Sequence, residues 1–315
     1  MPQNQGMKTF ELRPVLYFVL LSYGLAWLLA LPLWLGGGIA HPALVPIAVA
    51  MMWVPGLAAA LVSRATEPGT SVACALGLAN WRPLRRTMWF CLFATLAAMA
   101  MCAASLLAAA ALGLYHFDVQ HFSGFAEVLD AKFAGQQDRL AKLPPLPVLA
   151  WLYVLGVLVA APVNAIAGLG EELGWRGWLL PKLMPLGTAP AVIASGVIWA
   201  LWHAPVILLG YNYPGVPGAL SLACMTAMCI VVGAVFAWFR LQSGSVWPAA
   251  LGHGAFNATA GFHLVFGAAG QKIDVTQATV LGWSGWIFPL LLAFVLFKIF
   301  PKNPWPAQET LTKTT

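Results

Sequence analysis

Charge is what this sequence most lacks. Asp, Glu, Lys and Arg make up 8% of its 315 residues, where a soluble domain averages about 25%. Hydrophobic residues reach 61% and the mean hydropathy is +0.81. So little polar surface excludes a soluble globular enzyme, a disordered chain and a nucleic-acid binder that works from a basic face. Cysteine is scarce too: Cys74, Cys91, Cys102, Cys224 and Cys229 form no CxxC pair and lie mostly in apolar stretches. They read as small buried hydrophobes rather than disulfides or zinc ligands. HExxH does not occur, which excludes the helical zincin arrangement, and neither GxSxG nor a nucleophilic Ser/Lys pair stands out. Internal repeats, low-complexity tracts and soluble domain boundaries are also missing, so residues 1–315 read as one polytopic membrane domain.

What is present is apolar sequence in bilayer-spanning lengths. At roughly 20 residues per crossing, runs at 14–36, 42–62, 87–115, 147–170, 189–210, 216–239, 246–267 and 277–299 predict eight transmembrane helices. The first run is longer than the apolar core of a secretory signal and reads as a span that stays in the protein. Cytoplasmic segments are enriched in Lys and Arg. With the N-terminus inside, the inner segments hold Lys8, Arg13, Arg64, Arg82, Arg85, Arg86, Arg176, Lys182, Arg240, Lys298, Lys302 and Lys313, and the outer ones only Lys132, Arg139, Lys142 and Lys272. Both termini are therefore expected in the cytoplasm. The Ala- and Trp-rich composition and short loops suggest a bacterial inner membrane. The polar stretch 116–146 is expected outside, where Phe125 to Leu143 forms either an amphipathic surface helix or a solvated loop, ended by Pro144 and Pro145. Arg82, Arg85 and Arg86 read as a topology signal in contact with anionic lipid, and the tail after Phe300 as a short flexible end.

Ionisable side chains are costly inside a membrane, which makes them informative. They gather in three segments. Gly170-Glu171-Glu172-Leu173-Gly174-Trp175-Arg176 closes the fourth span. Adjacent glutamates on a helix point about 100° apart. Glu172 can pair with Arg176 at i, i+4, leaving Glu171 free to face a cavity, with Asn164 on its side of the helix. His203 lies within the fifth span, where Pro205 frees a backbone carbonyl and can bend the helix around a hollow. His253 and Asn257, at i, i+4, share a face of the seventh span, with Gly252 and Gly254 permitting close approach. Each segment alone suits a bland role: a water-facing helix end, a packed histidine, an interhelical hydrogen bond. Together they supply a general base, a partner to orient water, and a donor pair for an oxyanion, the minimum for hydrolysis.

In this order, the segments resemble the type II CAAX prenyl protease family, the CPBP intramembrane proteases that include lysostaphin-resistance-like and bacteriocin-processing proteins. The family pattern is EExxxR, FxxxH, HxxxN. Glu171 to Arg176 and His253 to Asn257 match in full, whereas Trp199 stands where FxxxH has Phe, keeping a bulky aromatic wall. The resemblance covers 147–266, the expected protease core. It implies an all-α, eight-helix fold with a cavity open to the cytoplasm, and an endopeptidase acting on a peptide or membrane-protein substrate within the lipid bilayer, with no nucleic acid involved. It also implies Glu171 as general base, His203 orienting the water, His253 and Asn257 as oxyanion hole, and Glu172 and Arg176 bracing them. Some members are described as metalloproteases, and Glu171, His203 and His253 would make a His₂Glu zinc set. The spacing of Asn257 favours the version without metal. A non-catalytic scaffold of the same fold and a proton-coupled transporter are the competing readings.

Overall fold

The computed structural model describes residues 10–300, so the tail after Phe300 lies outside the described residues. Its main helices are α1 (Leu12–Leu35), α2 (Leu44–Thr66), α3 (Leu84–Ala111), α4 (Ser123–Lys132), α5 (Leu146–Glu172), α6 (Thr188–Trp202), α7 (Gly218–Ser243), α8 (Trp247–Thr259) and α9 (Ile287–Ile299). Among the described residues there is no strand, only an isolated bridge between Phe117 and Gly267. Lipid leaves no alternative partner for backbone N–H and C=O groups, so apolar runs satisfy them internally as helices. Proline sets three of the starts. Pro83, Pro145 and Pro217 immediately precede α3, α5 and α7 in extended conformation, each lacking an N–H that the first turn would have left unpaired.

A helix lies in each of the eight expected spans, but five are long and apolar enough to cross a bilayer: α1, α2, α3, the continuous run Leu146–Leu186, and α7. The other three are interrupted. α6 stops at Trp202, and the chain restarts as Ala204–Ile207 around Pro205, which has no N–H to continue the ladder. The expected seventh span breaks at Ala260 and Gly261 into α8 and Phe262–Phe266. The eighth is turn until Trp283. Hydropathy ran on through apolar turns that the backbone does not treat as helix.

α8 is short because it is interior. It packs mainly on α5 and α3, and nine of its thirteen residues are buried. A methyl group at Gly254 would run into the Ala161 carbonyl oxygen and the Ala165 backbone nitrogen of α5. The close approach expected of Gly254 is thus real, and small residues at such crossings are how membrane helices gain dispersion contacts. α2 meets α5 in the same manner, since a methyl group at Gly170 would lie 2.6 Å from the Met52 carbonyl oxygen.

In the 116–146 stretch only α4 and a short turn at Gln137–Leu140 are helical. Phe122 and Phe125 are buried with Ala150 and Val265, so the amphipathic helix packs on the protein. The Ser123 hydroxyl, with the His121 and Ser123 backbone N–H groups, holds the Asp118 carboxyl below the usual carboxylate range.

Gly254→Ala should cost about 1–3 kcal/mol, the usual penalty for overpacking. Thermal unfolding in detergent reads it, with Gly24→Ala as control, because nothing lies within 4 Å of that position. Equal melting temperatures for the two variants would remove Gly254 from the packing argument.

Candidate active site

α5 does not stop at its two glutamates. It runs into a π-helical turn, Leu173–Leu179, whose seven residues are all buried, a local widening that recurs at functional sites. The turn brings Arg176 back beneath Glu172, and its Nη1 donates to Glu172 Oε1 at 2.9 Å. Exposures of 1% for Arg176 and 0% for Glu172 put this pair out of reach of water. From α8, His253 Nδ1 donates to the same Oε1, also at 2.9 Å. One carboxylate oxygen therefore receives donors from two helices. Removing each ion from water costs several kcal/mol, which only good geometry and extra hydrogen bonds offset. Aromatic faces complete the shell: the guanidinium carbon lies 4.1 Å from the Trp199 ring centroid and 5.6 Å from that of Phe236.

Glu171 points the other way, as its place beside Glu172 requires. It is 2% exposed, and its Oε2 accepts from Trp199 Nε1 at 2.6 Å. Four residues on from Trp199, His203 places Nδ1 2.9 Å from the Trp199 carbonyl oxygen. A carbonyl only accepts, so Nδ1 carries the hydrogen and a neutral ring keeps its lone pair on Nε2. The same reasoning applies to His253, whose Nδ1–H is committed to Glu172.

A cavity of about 520 Å³ collects these groups, lined by Asn164, Glu171, Trp199, His203, His253 and Asn257. That volume lies within the range of about 300–1,000 Å³ typical of ligand sites. Glu171 and His253 form its buried floor, while Asn257 is exposed. Glu172 and Arg176 stand behind the floor and do not line the cavity. Of the residues singled out in the sequence, Asn164, Glu171, His203, His253 and Asn257 therefore share one cavity, with Glu172 and Arg176 behind it. The glutamate bonded to a histidine is Glu172, not Glu171, whose partner is the Trp199 indole. The departure from FxxxH thus supplies an N–H that phenylalanine lacks. The substitution itself was the visible signal, but sequence could not say where the indole N–H pointed.

Among the described residues, no group of three His, Cys, Asp or Glu side chains comes together as a metal-holding set. Glu171, His203 and His253 share the cavity without forming the zinc site held open as an option, so the metalloprotease version finds no support in the donor geometry.

The cavity also has a direction. One end of the bundle is tied by bonds from Trp178 to Glu67, Lys182 to Glu67, Asn80 to the Gly244 carbonyl and Arg240 to the Arg176 carbonyl. This end carries Arg64, Arg82, Arg85, Arg86, Lys182 and Arg240. The opposite end is tied by Trp34 to the Pro205 carbonyl, Tyr213 to the Leu281 carbonyl and Tyr115 to the His263 carbonyl. Residues from that opposite end also line the cavity: Leu44, Tyr211, Asn212, His263 and Leu281. These residues and the basic loops lie at opposite ends of the fold.

Residues 147–259 match the Rce1-like family, described as type II CAAX prenyl endopeptidase Rce1-like. The recognition made from three motifs and this match agree on the same segment. A CAAX prenyl protease 2 from Methanococcus maripaludis is 26% identical over 137 residues, covering 42% of this chain and 47% of the relative. The chain thus spans about half the length of the curated relative it matches.

Glu172→Gln should destabilise the fold by about 3–5 kcal/mol, because it leaves Arg176 as an uncompensated buried cation. Trp199→Phe should cost about 1.5–3 kcal/mol, the range for one hydrogen bond to a charged group. Melting curves in one detergent rank the two, and a Glu172→Gln variant as stable as wild type would show that the buried pair does not organise the π turn.

Proposed function

We propose that this chain, whose residues 147–259 carry the Rce1-like core, is an intramembrane endopeptidase that hydrolyses a peptide bond with glutamate-activated water. The observation that carries the reading is the shared cavity: the Glu171 carboxylate, the His203 and His253 imidazoles and the Asn257 amide are among the groups lining one hollow inside an apolar bundle. In it, Glu171 takes a proton from a water whose oxygen attacks the carbonyl carbon, and His203 Nε2 orients that water. The tetrahedral oxyanion is met by the Asn257 amide and by His253 Nε2, which donates when the ring carries its second proton. Glu172 fixes the orientation of that ring through Nδ1, as a carboxylate does for the histidine of a serine protease. Cleavage of the C–N bond returns the proton from Glu171 to the departing amine.

Neither a non-catalytic scaffold nor a proton-coupled transporter is favoured by the fold or the comparisons. The protein is read as a multi-pass membrane protein of a bacterial inner membrane, with a membrane-associated peptide as substrate. On eight crossings with cytoplasmic basic loops, the mouth faces away from the cytoplasm, whereas the family resemblance implies a cytoplasmic mouth. We take the charge asymmetry as the guide, because Lys and Arg near span ends set orientation directly.

Glu171→Gln should insert and fold but lower peptide cleavage by about 10²-fold or more, the scale of general-base catalysis. Trp199→Phe should lower it about tenfold, equivalent to about 1.4 kcal/mol of misplaced base. A purified protein cleaving a peptide library is the assay, and wild-type turnover by Glu171→Gln would end the proposed role.

Orientation has its own test. Tyr211→Cys at the mouth should react with a membrane-impermeant maleimide in intact cells, and Thr70→Cys at the basic end only after permeabilisation. The reverse pattern would place the cavity in the cytoplasm.

A further inference from the structure

A second hollow, of about 800 Å³, lies away from the catalytic cavity, between α3, α7 and α9. Its walls are almost wholly apolar: Trp89, Phe93 and Ala97 from α3, Trp238 from α7, and Leu292 and Leu296 from α9. Trp89 and Phe93 are stacked at 5.8 Å and are about half exposed. At one end the lining changes character, because Arg85 and Arg86 border it. That end is a fixed frame. Arg86 Nη2 donates to the Gln242 carbonyl oxygen at 2.7 Å, and Gln242 Nε2 donates to the Phe300 carbonyl oxygen at 2.8 Å. The mouths of three helices are thereby tied around the two cations, and Arg85 projects as an exposed side chain beside them.

We infer that this hollow is a binding site for an anionic phospholipid, with an acyl chain between the three helices and the phosphate at Arg85 and Arg86. The shape and the charge separate along one axis in the way such a lipid does: a long apolar trough facing the hydrocarbon, and two guanidinium groups at the level of the headgroups. Guanidinium forks match phosphate oxygens, and basic pockets between transmembrane helices on the cytoplasmic side are where acidic headgroups are held. The basic end of the bundle is the one assigned to the cytoplasmic leaflet, where anionic lipids attract basic juxtamembrane residues. A zwitterionic lipid fills the trough equally well but places a cationic group beside the two arginines. The site shares no lining residue with the catalytic cavity, so it stands or falls independently of the proposed proteolysis.

The full chain purified in detergent, titrated with phosphatidylglycerol or phosphatidylcholine and read by native mass spectrometry, tests this site. One phosphatidylglycerol should be retained at least fivefold more than phosphatidylcholine. Arg85→Glu should abolish the preference, and Arg85→Lys should restore most of it. Ala97→Phe, which fills the trough without altering charge, should weaken both lipids. Equal retention of the two lipids, an unchanged preference in Arg85→Glu, or an Ala97→Phe variant that binds like wild type would each overturn the proposal. So would competition by inorganic phosphate alone at the same concentration, since it would assign the arginines to a free anion. Melting curves of each variant in the same detergent separate lost binding from lost folding.

Discussion

The structure turns on one carboxylate oxygen. Glu172 Oε1 accepts from Arg176 on its own chain segment and from His253 on α8, inside a protein with almost no other charge at that depth. Neither donor can leave without stranding a buried ion, so the chain segment after α5 must keep Arg176 beside Glu172, and α8 must present His253 at this level. The turn that satisfies Glu172 also aims Glu171 into the open hollow, because neighbouring helical side chains diverge by about 100°. One glutamate is structural because its neighbour is not.

Packing supports that arrangement from outside. α8 can bring His253 and Asn257 beside α5 only because Gly254 lets the two backbones nearly touch, and α2 approaches α5 at Gly170 for the same reason. Further toward the other end, α2 contributes Leu44 and Val45 to the outer cavity. Glu171, His253 and Asn257 are thereby carried on helices and His203 caps the end of α6, while Tyr211 and Asn212 line the same cavity from a loop.

Much of the site was legible because membranes penalise stray polarity. Glu171, His203, His253 and Asn257 stood out against apolar surroundings, and their convergence in one cavity follows what their types and spacing suggested. The pairing did not follow. Glu172 was legible as the partner of Arg176, four residues away, but its bond to His253 joins residues distant in sequence. The role of Trp199 depended on where an indole N–H points, which no residue letter encodes. Span boundaries failed at α6, α8 and α9 because hydropathy does not distinguish an apolar helix from an apolar turn broken by Pro205 or by Gly261.

Long apolar runs in a chain with 8% charge pointed by themselves to membrane helices, since each such run can satisfy its own backbone in lipid. Local spacing alone placed Glu171 away from Glu172 and put His253 and Asn257 on one face. Which carboxylate serves which histidine, and at which end of the bundle the hollow opens, was left to tertiary structure. Those outcomes depend on helix crossings set by glycine contacts and on the low-dielectric cost of a lone charge, and both involve residues that sequence order keeps far apart.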